Sequence, residues 1–287
     1  MISCNRKKIR NIELWLLEEL KKICEKHNIR YFADGGTLIW AVRHKWFIPW
    51  DDDIDITMFR DDYEKLLKIA PKELPDHIKL REYHQWFSKI VNTNTAALWY
   101  ENWWDKDFVG WIRIDIFPLD YASKYSIVNK MKSFILLFLR AILVSKNAYW
   151  FVDTMKKWKR FFVYPLRYIF NMVDSSKIYK IHEKIAKKVY FKSEMVYTAA
   201  FVYRFYPVSI YDKFHDVKFE NTTICIPDWF DKYLRIAYWD YMKPVIWQWW
   251  HFCRYSVGKS YKDYIKHFDR FKTNEDNYKK YESLFVL

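Results

Sequence analysis

The chain has 287 residues, with 49 Lys and Arg against 35 Asp and Glu, for a net charge of +14. Only 4 residues are Gly, where an average domain has roughly 7%, while Trp, Tyr and Phe number 16, 23 and 22. This excludes collagen-like, Gly-rich linker and disordered classes, and the 51% of hydrophobic residues supplies a sizeable core. The four cysteines, Cys4, Cys24, Cys225 and Cys253, make no C-x-x-C pair. Neither a zinc site nor a disulfide framework is read from them, and a reducing compartment fits. MISCNRKKIR carries charge with no apolar run behind it, so no secretory signal is expected.

In chain order, Asn11 to His27 predicts an amphipathic helix with Ile12, Leu16, Leu20 and Ile23 on one stripe. Ile29 to Ala33 predicts a short strand. Asp34-Gly35-Gly36-Thr37 reads as a turn, with Thr37 the N-cap of a helix through Val42. Ile54 to Met58 predicts a strand. Asp61 and Glu64 read as a capping box for a helix that stops before Pro71. Trp111 to Phe117 alternates as a strand, Val217 to Ile226 reads as a hairpin turning near Asn221, and Asp228 to Ala237 reads as a helix. Helices are expected to dominate the middle block, and the tail after Ser260 is polar. His182 has no partner pattern and is expected at the surface or the core edge.

The chemistry concentrates at Asp51-Asp52-Asp53-Ile54-Asp55. Four acids in five residues repel one another unless cations or strong donors sit among them. Asp53 and Asp55 share one strand face while Ile54 and Ile56 point to the core. Asp115, between Ile114 and Ile116, repeats the pattern. If the two strands are neighbours, Asp53, Asp55 and Asp115 converge into a hard oxygen site suited to Mg²⁺ or Mn²⁺ with substrate phosphates. A solitary D-x-D is more often a surface turn. Here Gly35, Gly36 and Thr37 open a helix just upstream, where exposed amides favour phosphate. Half of the chain's glycines lie in that turn, and Arg43, His44 and Lys45 follow it.

The stretch YFADGGTLIWAVRHKWFIPWDDDIDITMFRDDYEKL resembles the signature of the LicD-type phosphotransferases, a family related to fukutin. RIDIFPLD is similar to its second acidic motif, and VKFENTTICIPDWFDKYLRIAYWDYMKP more weakly to its C-terminal one. The resemblance covers roughly residues 10 to 121 and 214 to 244. It implies an α+β class, with a nucleotidyltransferase-like mixed sheet flanked by helices. It also implies metal-dependent transfer of a phospho-alcohol group from a CDP-activated donor to a sugar hydroxyl, releasing CMP. By position, Asp53, Asp55 and Asp115 are the implied metal ligands and catalytic acids, and Asp51 a further ligand or close neighbour. Gly35, Gly36 and Thr37 would contact donor phosphates, with Arg43 and His44 nearby, and Asp115 is favoured to receive the acceptor's proton. The implied donor is CDP-choline, with the ethanolamine, glycerol and ribitol analogues as alternatives. The implied acceptor is a lipid-linked precursor of a cell-surface glycan such as lipopolysaccharide or teichoic acid. Choline needs aromatic faces. Trp99, Tyr100, Trp103, Trp104, Trp247, Trp249 and Trp250 are candidates, although a chain this aromatic has such clusters throughout.

Three positions depart from the family pattern in one direction. Trp40, Trp46 and Trp239 stand where the resemblance calls for Gly. Trp40 is expected to crowd the donor. A UGA codon read as glycine in one genetic code and as tryptophan in another would explain all three together with the composition.

From Lys124 to Lys192 there are sixteen Lys and Arg against three acids, so this block carries thirteen of the net fourteen charges. Its apolar runs, FILLFLRAILV and RFFVYPLRYIF, are too short to span a bilayer. Two readings stay open: a peripheral surface for anionic membrane, or ordinary core helices with solvated lysines. The expected organisation is a catalytic core over 1–123, a basic helical insertion over 124–195, and a C-terminal part of the same core over 196–287. The expected location is cytoplasmic, on the inner face of the membrane. No nucleic-acid motif is present, and no nucleic-acid partner is expected. A non-catalytic basic protein that binds membrane or nucleic acid is the alternative to an enzyme.

Overall fold

The computed structural model describes residues 6–44, 53–83, 86–98, 109–147, 157–189, 192–198, 204–243 and 254–256. Helix α1 (Arg6–His27) starts one turn earlier than its sequence pattern suggests, because Ile9 is fully buried and extends the stripe of Leu16, Leu20 and Ile23. Strand β1 is only Phe32–Ala33. Helix α2 (Gly35–Ile39) runs straight into a π-helical turn, Trp40–His44. The N-cap of α2 is Asp34, whose side chain accepts from the Gly35 amide, and not Thr37. Strand β2 (Ile54–Phe59) is followed directly by α3 (Arg60–Glu73).

The capping box expected at Asp61 is absent, since α3 starts at Arg60 with no side-chain cap. The helix also passes Pro71. Proline forgoes one backbone bond near the helix end, and buried Tyr63, Leu66 and Ala70 keep the helix seated around that loss.

Strands β3 (Ile78–Tyr83) and β4 (Phe87–Leu98) were not anticipated from sequence, and β5 is longer than expected, Val109–Ser123. The middle block forms α4 (Ser126–Asn147), α5 (Lys157–Ile169) and α6 (Ser175–Lys187). Then come β6 (Lys192–Tyr197), β7 (Tyr206–Pro207), the hairpin β8 (Phe214–Phe219) and β9 (Thr222–Pro227), α7 (Phe230–Tyr238), and β10 (Arg254–Ser256).

The main sheet runs β1-β2-β5-β4-β10, with β3 also on β4, and β6 and β7 continuing from β5. The β2–β5 pair is parallel and the other pairs are antiparallel, so the sheet is mixed and the class is α+β. Strand β5 is central, and every residue from Trp111 to Asp120 is buried. The strand still alternates, with Ile112, Ile114 and Ile116 on one face and Arg113 and Asp115 on the other. On one sheet face Ile54, Ile56, Ile90, Ile114 and Ile116 are all fully buried in the main core.

A second apolar cluster joins Leu136 and Leu143 of α4, Ile178 and Ala186 of α6, and Ala122 and Tyr197 of the strands beside them. Here the basic block spends charge inside the fold. Lys132 donates to the Ala186 and Lys188 carbonyls at 2.7 and 2.9 Å, closing the end of α6, and burial pushes its pKa down to about 8. The block is tied to the sheet by Arg60. Its Nε and Nη2 donate to the two oxygens of Asp120 at 2.7 and 2.6 Å, and Nη1 donates to Glu183 of α6 at 3.0 Å. Burial opposes the charge on Arg60, but Asp120 and then Glu183 more than offset it and raise its pKa.

Candidate active site

The turn before α2 is stitched to β2 at one residue. The Asp34 amide donates to the Asp55 carbonyl at 2.9 Å, and the Asp55 amide donates to Thr37 Oγ1 at 2.9 Å. Thr37 is fully buried, so its hydroxyl holds the backbone of Asp55 from beneath. Gly35 has φ +53, a conformation that L side chains rarely adopt. A β-carbon there would lie 2.9 Å from Asp55 Oδ2. The glycine therefore leaves room for a carboxylate. Arg43 donates to the Tyr241 carbonyl, and its Nε donates to His44 Nδ1 at 3.2 Å. Burial, then Arg43, lowers the pKa of His44.

Asp55 and Asp115 are directly paired in the parallel β2–β5 register. Asp115 is paired in turn with Lys89 on β4, and Lys89 with Arg81 on β3. Paired residues in a sheet share a face. A row of charge, Asp55–Asp115–Lys89–Arg81, thus crosses four strands on the face opposite the isoleucines. Arg113, two residues before Asp115, joins it. Asp115 Oδ1 accepts from Arg113 Nε at 3.1 Å and lies 3.4 Å from Lys89 Nζ, and all three side chains are buried. Cations from β4 and β5 thus meet the Asp115 carboxylate.

The C-terminal part completes the site. Tyr233 of α7 donates its hydroxyl to Asp34, which is buried and whose pKa burial pushes up to about 6. The Tyr238 hydroxyl comes within 3.5 Å of where a Gly35 β-carbon would stand, and Arg204 lies 5.8 Å from the Tyr238 ring. Lys89, Arg204, Tyr233 and Tyr238 were missed in sequence because each reaches the site through long-range pairing or packing. Only the C-terminal pattern around Tyr233 and Tyr238 gave a signal.

Asp53, immediately before β2, is half-buried. Asp51 and Trp46 lie outside the described residues, as do the aromatic candidates at 99–104 and 247–250. Among the described residues no three His, Cys, Asp or Glu side chains stand together as a ready metal cluster. In composition and register, the adjacent carboxylates of Asp55 and Asp115, with Asp53 two residues upstream, nonetheless fit a hard divalent cation.

Two expectations change here. Trp40 turns its ring into the core: it is fully buried, in ordinary right-handed backbone, and stacks on Phe219 at 6.4 Å. His182 is no surface residue. It is wholly buried beside Trp86 with a centroid separation of 5.2 Å, and neither ring nitrogen meets a hydrogen-bond partner among the described residues.

A family model described as LicD/FKTN/FKRP, nucleotidyltransferase domain, matches residues 28–176, more than half of the chain. The match takes in the turn, β2 and the whole charged row. It runs through α4 and α5 to the start of α6, further into the middle block than the motifs alone suggest, and stops before the β8–β9 hairpin. The lipopolysaccharide cholinephosphotransferase LicD of Haemophilus influenzae is 45% identical over 65 residues, 23% of this chain and 24% of that protein. An uncharacterized protein of Rickettsia prowazekii is 40% identical over 57 residues, and one of Rickettsia typhi is 39% identical over 66. These cover 20% and 22% of this chain and 21% of each relative. The chain thus spans less than a quarter of the length of each curated relative it matches. Through the match over residues 28–176, the chain belongs to the LicD/FKTN/FKRP family and carries its nucleotidyltransferase domain.

Proposed function

We propose that this protein is a phosphotransferase that moves a phospho-alcohol group, first of all phosphocholine from CDP-choline, onto a sugar hydroxyl of a cell-surface glycan precursor. The carrying observation is the registered row Asp55–Asp115–Lys89 beneath Gly35. It brings carboxylates and cations together beside a turn whose Gly35 carries no side chain. The name of the Haemophilus influenzae relative supports choline as the alcohol.

In the reaction, the acceptor oxygen forms a bond to the phosphorus that bears the alcohol. The bond from that phosphorus to the CMP oxygen breaks, and the hydroxyl proton passes to a carboxylate of the row. Asp115 is favoured for the proton by its place in the middle of β5. Asp53, Asp55 and Asp115 would hold Mg²⁺ or Mn²⁺, with Asp51 close by. Such an ion would supply positive charge against the donor phosphates. Gly35 and Gly36 leave backbone room for the donor phosphates. Arg43, Lys89 and Arg113 supply positive charge toward the leaving phosphate, which lowers the cost of the charge that builds there.

The test is incubation of the full chain and Mg²⁺ or Mn²⁺ with CDP-choline, its ethanolamine, glycerol and ribitol analogues, and a lipid-linked glycan extract. CMP release with one donor, lost in Asp55→Asn, is expected. Folded protein that releases CMP from none of the four would overturn the assignment and leave a non-catalytic binding role.

A further inference from the structure

Outside the site, the least explained surface of the molecule is on α4 and α5. Helix α4 has two apolar faces. Leu136, Ile142 and Leu143 face the core, while Ile127, Met131, Phe134, Ile135 and Phe138 are exposed. The exposed set follows helical spacing and forms one stripe. Helix α5 does the same. Trp158, Phe161, Phe162 and Ile169 are 61, 76, 67 and 69% exposed, and Met172 just beyond the helix is 95% exposed. Beside the α4 stripe, Phe138 packs edge-on at 6.1 Å against Phe170, a half-buried residue just beyond α5 that joins the second core cluster. Isolated exposed apolar residues are ordinary, but a two-helix face of this kind marks an interaction surface.

The charges around it select the partner. Lys157 and Lys159 are exposed and flank the α5 stripe on either side, and Lys159 Nζ lies 5.5 Å over the Trp158 ring. Lys124 and Lys130 are exposed beside the α4 stripe. Aromatic rings within the stripe and lysines at its borders match the layering of a lipid interface, with apolar groups inside and ammonium groups at the phosphates. No described helix is long and apolar enough to cross a membrane. We infer that the α4–α5 face docks flat on a bilayer rich in anionic lipid. This rests on the two helices alone and stands whatever the chemistry of the site. Helix α4 follows directly on β5, the strand that carries Asp115.

The experiment is flotation of the full chain with phosphatidylcholine vesicles and with vesicles containing phosphatidylglycerol. Binding to the anionic vesicles should exceed binding to the neutral ones by roughly tenfold or more, and each neutralised lysine should cost about fivefold. Phe161→Glu with Phe162→Glu should abolish binding while the thermal midpoint stays within a few degrees. If that pair unfolds the protein, Met172→Glu with Lys157→Gln and Lys159→Gln replaces it. Vesicle binding that ignores these variants, or no binding at all, overturns the inference. So does a wild-type dimer that the same variants dissociate, since the face then serves a second copy of the chain.

Discussion

Gly35 and Asp55 face each other so closely that a β-carbon on the glycine would stand 2.9 Å from the Asp55 carboxylate. The glycine also has φ +53. Gly35→Ala therefore suffers twice. The left-handed backbone costs about 1–2 kcal/mol, and the carboxylate must move. CMP release should fall roughly tenfold or more, as expected when a reacting group is misplaced by an ångström. Urea denaturation beside steady-state assay checks both effects. An alanine variant of full activity would show that the carboxylate is not held for chemistry.

The two central acids should separate under mutation. Asp115→Ala removes a buried carboxylate that both Lys89 and Arg113 contact, a loss of about 3–5 kcal/mol. Asp55→Ala, at a half-buried position, should cost far less stability yet abolish CMP release equally. Equal stability losses in the two variants would contradict the buried row as the support of Asp115.

Arg60 carries the joint between the sheet and the helical block. Arg60→Ala leaves Asp120 and Glu183 with uncompensated charge, and should destabilise by about 3–5 kcal/mol. Hydrogen exchange should show α6 opening more readily than β2. A uniform change over both elements would argue against a local joint.

His182 makes stability depend on pH. Burial, then Arg140 and Arg60, lower its pKa from 6.5 to about 3. The unfolded chain binds a proton below pH 6.5 that the folded chain refuses, so this contribution is complete above pH 6.5 and is lost as pH falls toward 3. At pH 5 the loss is about 2 kcal/mol. His182→Phe keeps a ring beside Trp86 and should remove that part of the slope between pH 7.5 and 5, measured by urea denaturation at the two values. An unchanged slope would refute the assignment.

The Trp positions that resemble family glycines should respond in opposite directions. Trp239 is 86% exposed with φ 59 and ψ −102, a backbone glycine adopts far more readily. Trp239→Gly should be neutral or stabilise by about 1 kcal/mol. Trp40 fills the core against Phe219, and Trp40→Gly should cost about 3–5 kcal/mol. Chemical denaturation of the two variants decides. A stabilising Trp40→Gly would restore a single origin for both positions.

Local pattern carried much of the reading. The stripe of α1 and the polar turn at Asn221 show in sequence because one residue's neighbours along the chain decide them. The acid between two isoleucines was equally legible, since alternation alone sends Asp55 and Asp115 to one face and the isoleucines to the other. What sequence could not supply was register. That Asp55 stands beside Asp115, and Asp115 beside Lys89, follows from strand pairings 60 and 26 residues apart in the chain. Strand β4, SKIVNTNTA at its centre, hides among polar residues because its cross-strand partners, not its own composition, hold it in the sheet. The sequence by itself determined which residue types could do the chemistry and the family they resemble. Tertiary structure alone decided which cations meet Asp115, why Gly35 must lack a side chain, and which face of the basic helices stays outside. These depend on contacts between distant segments, which no local period encodes.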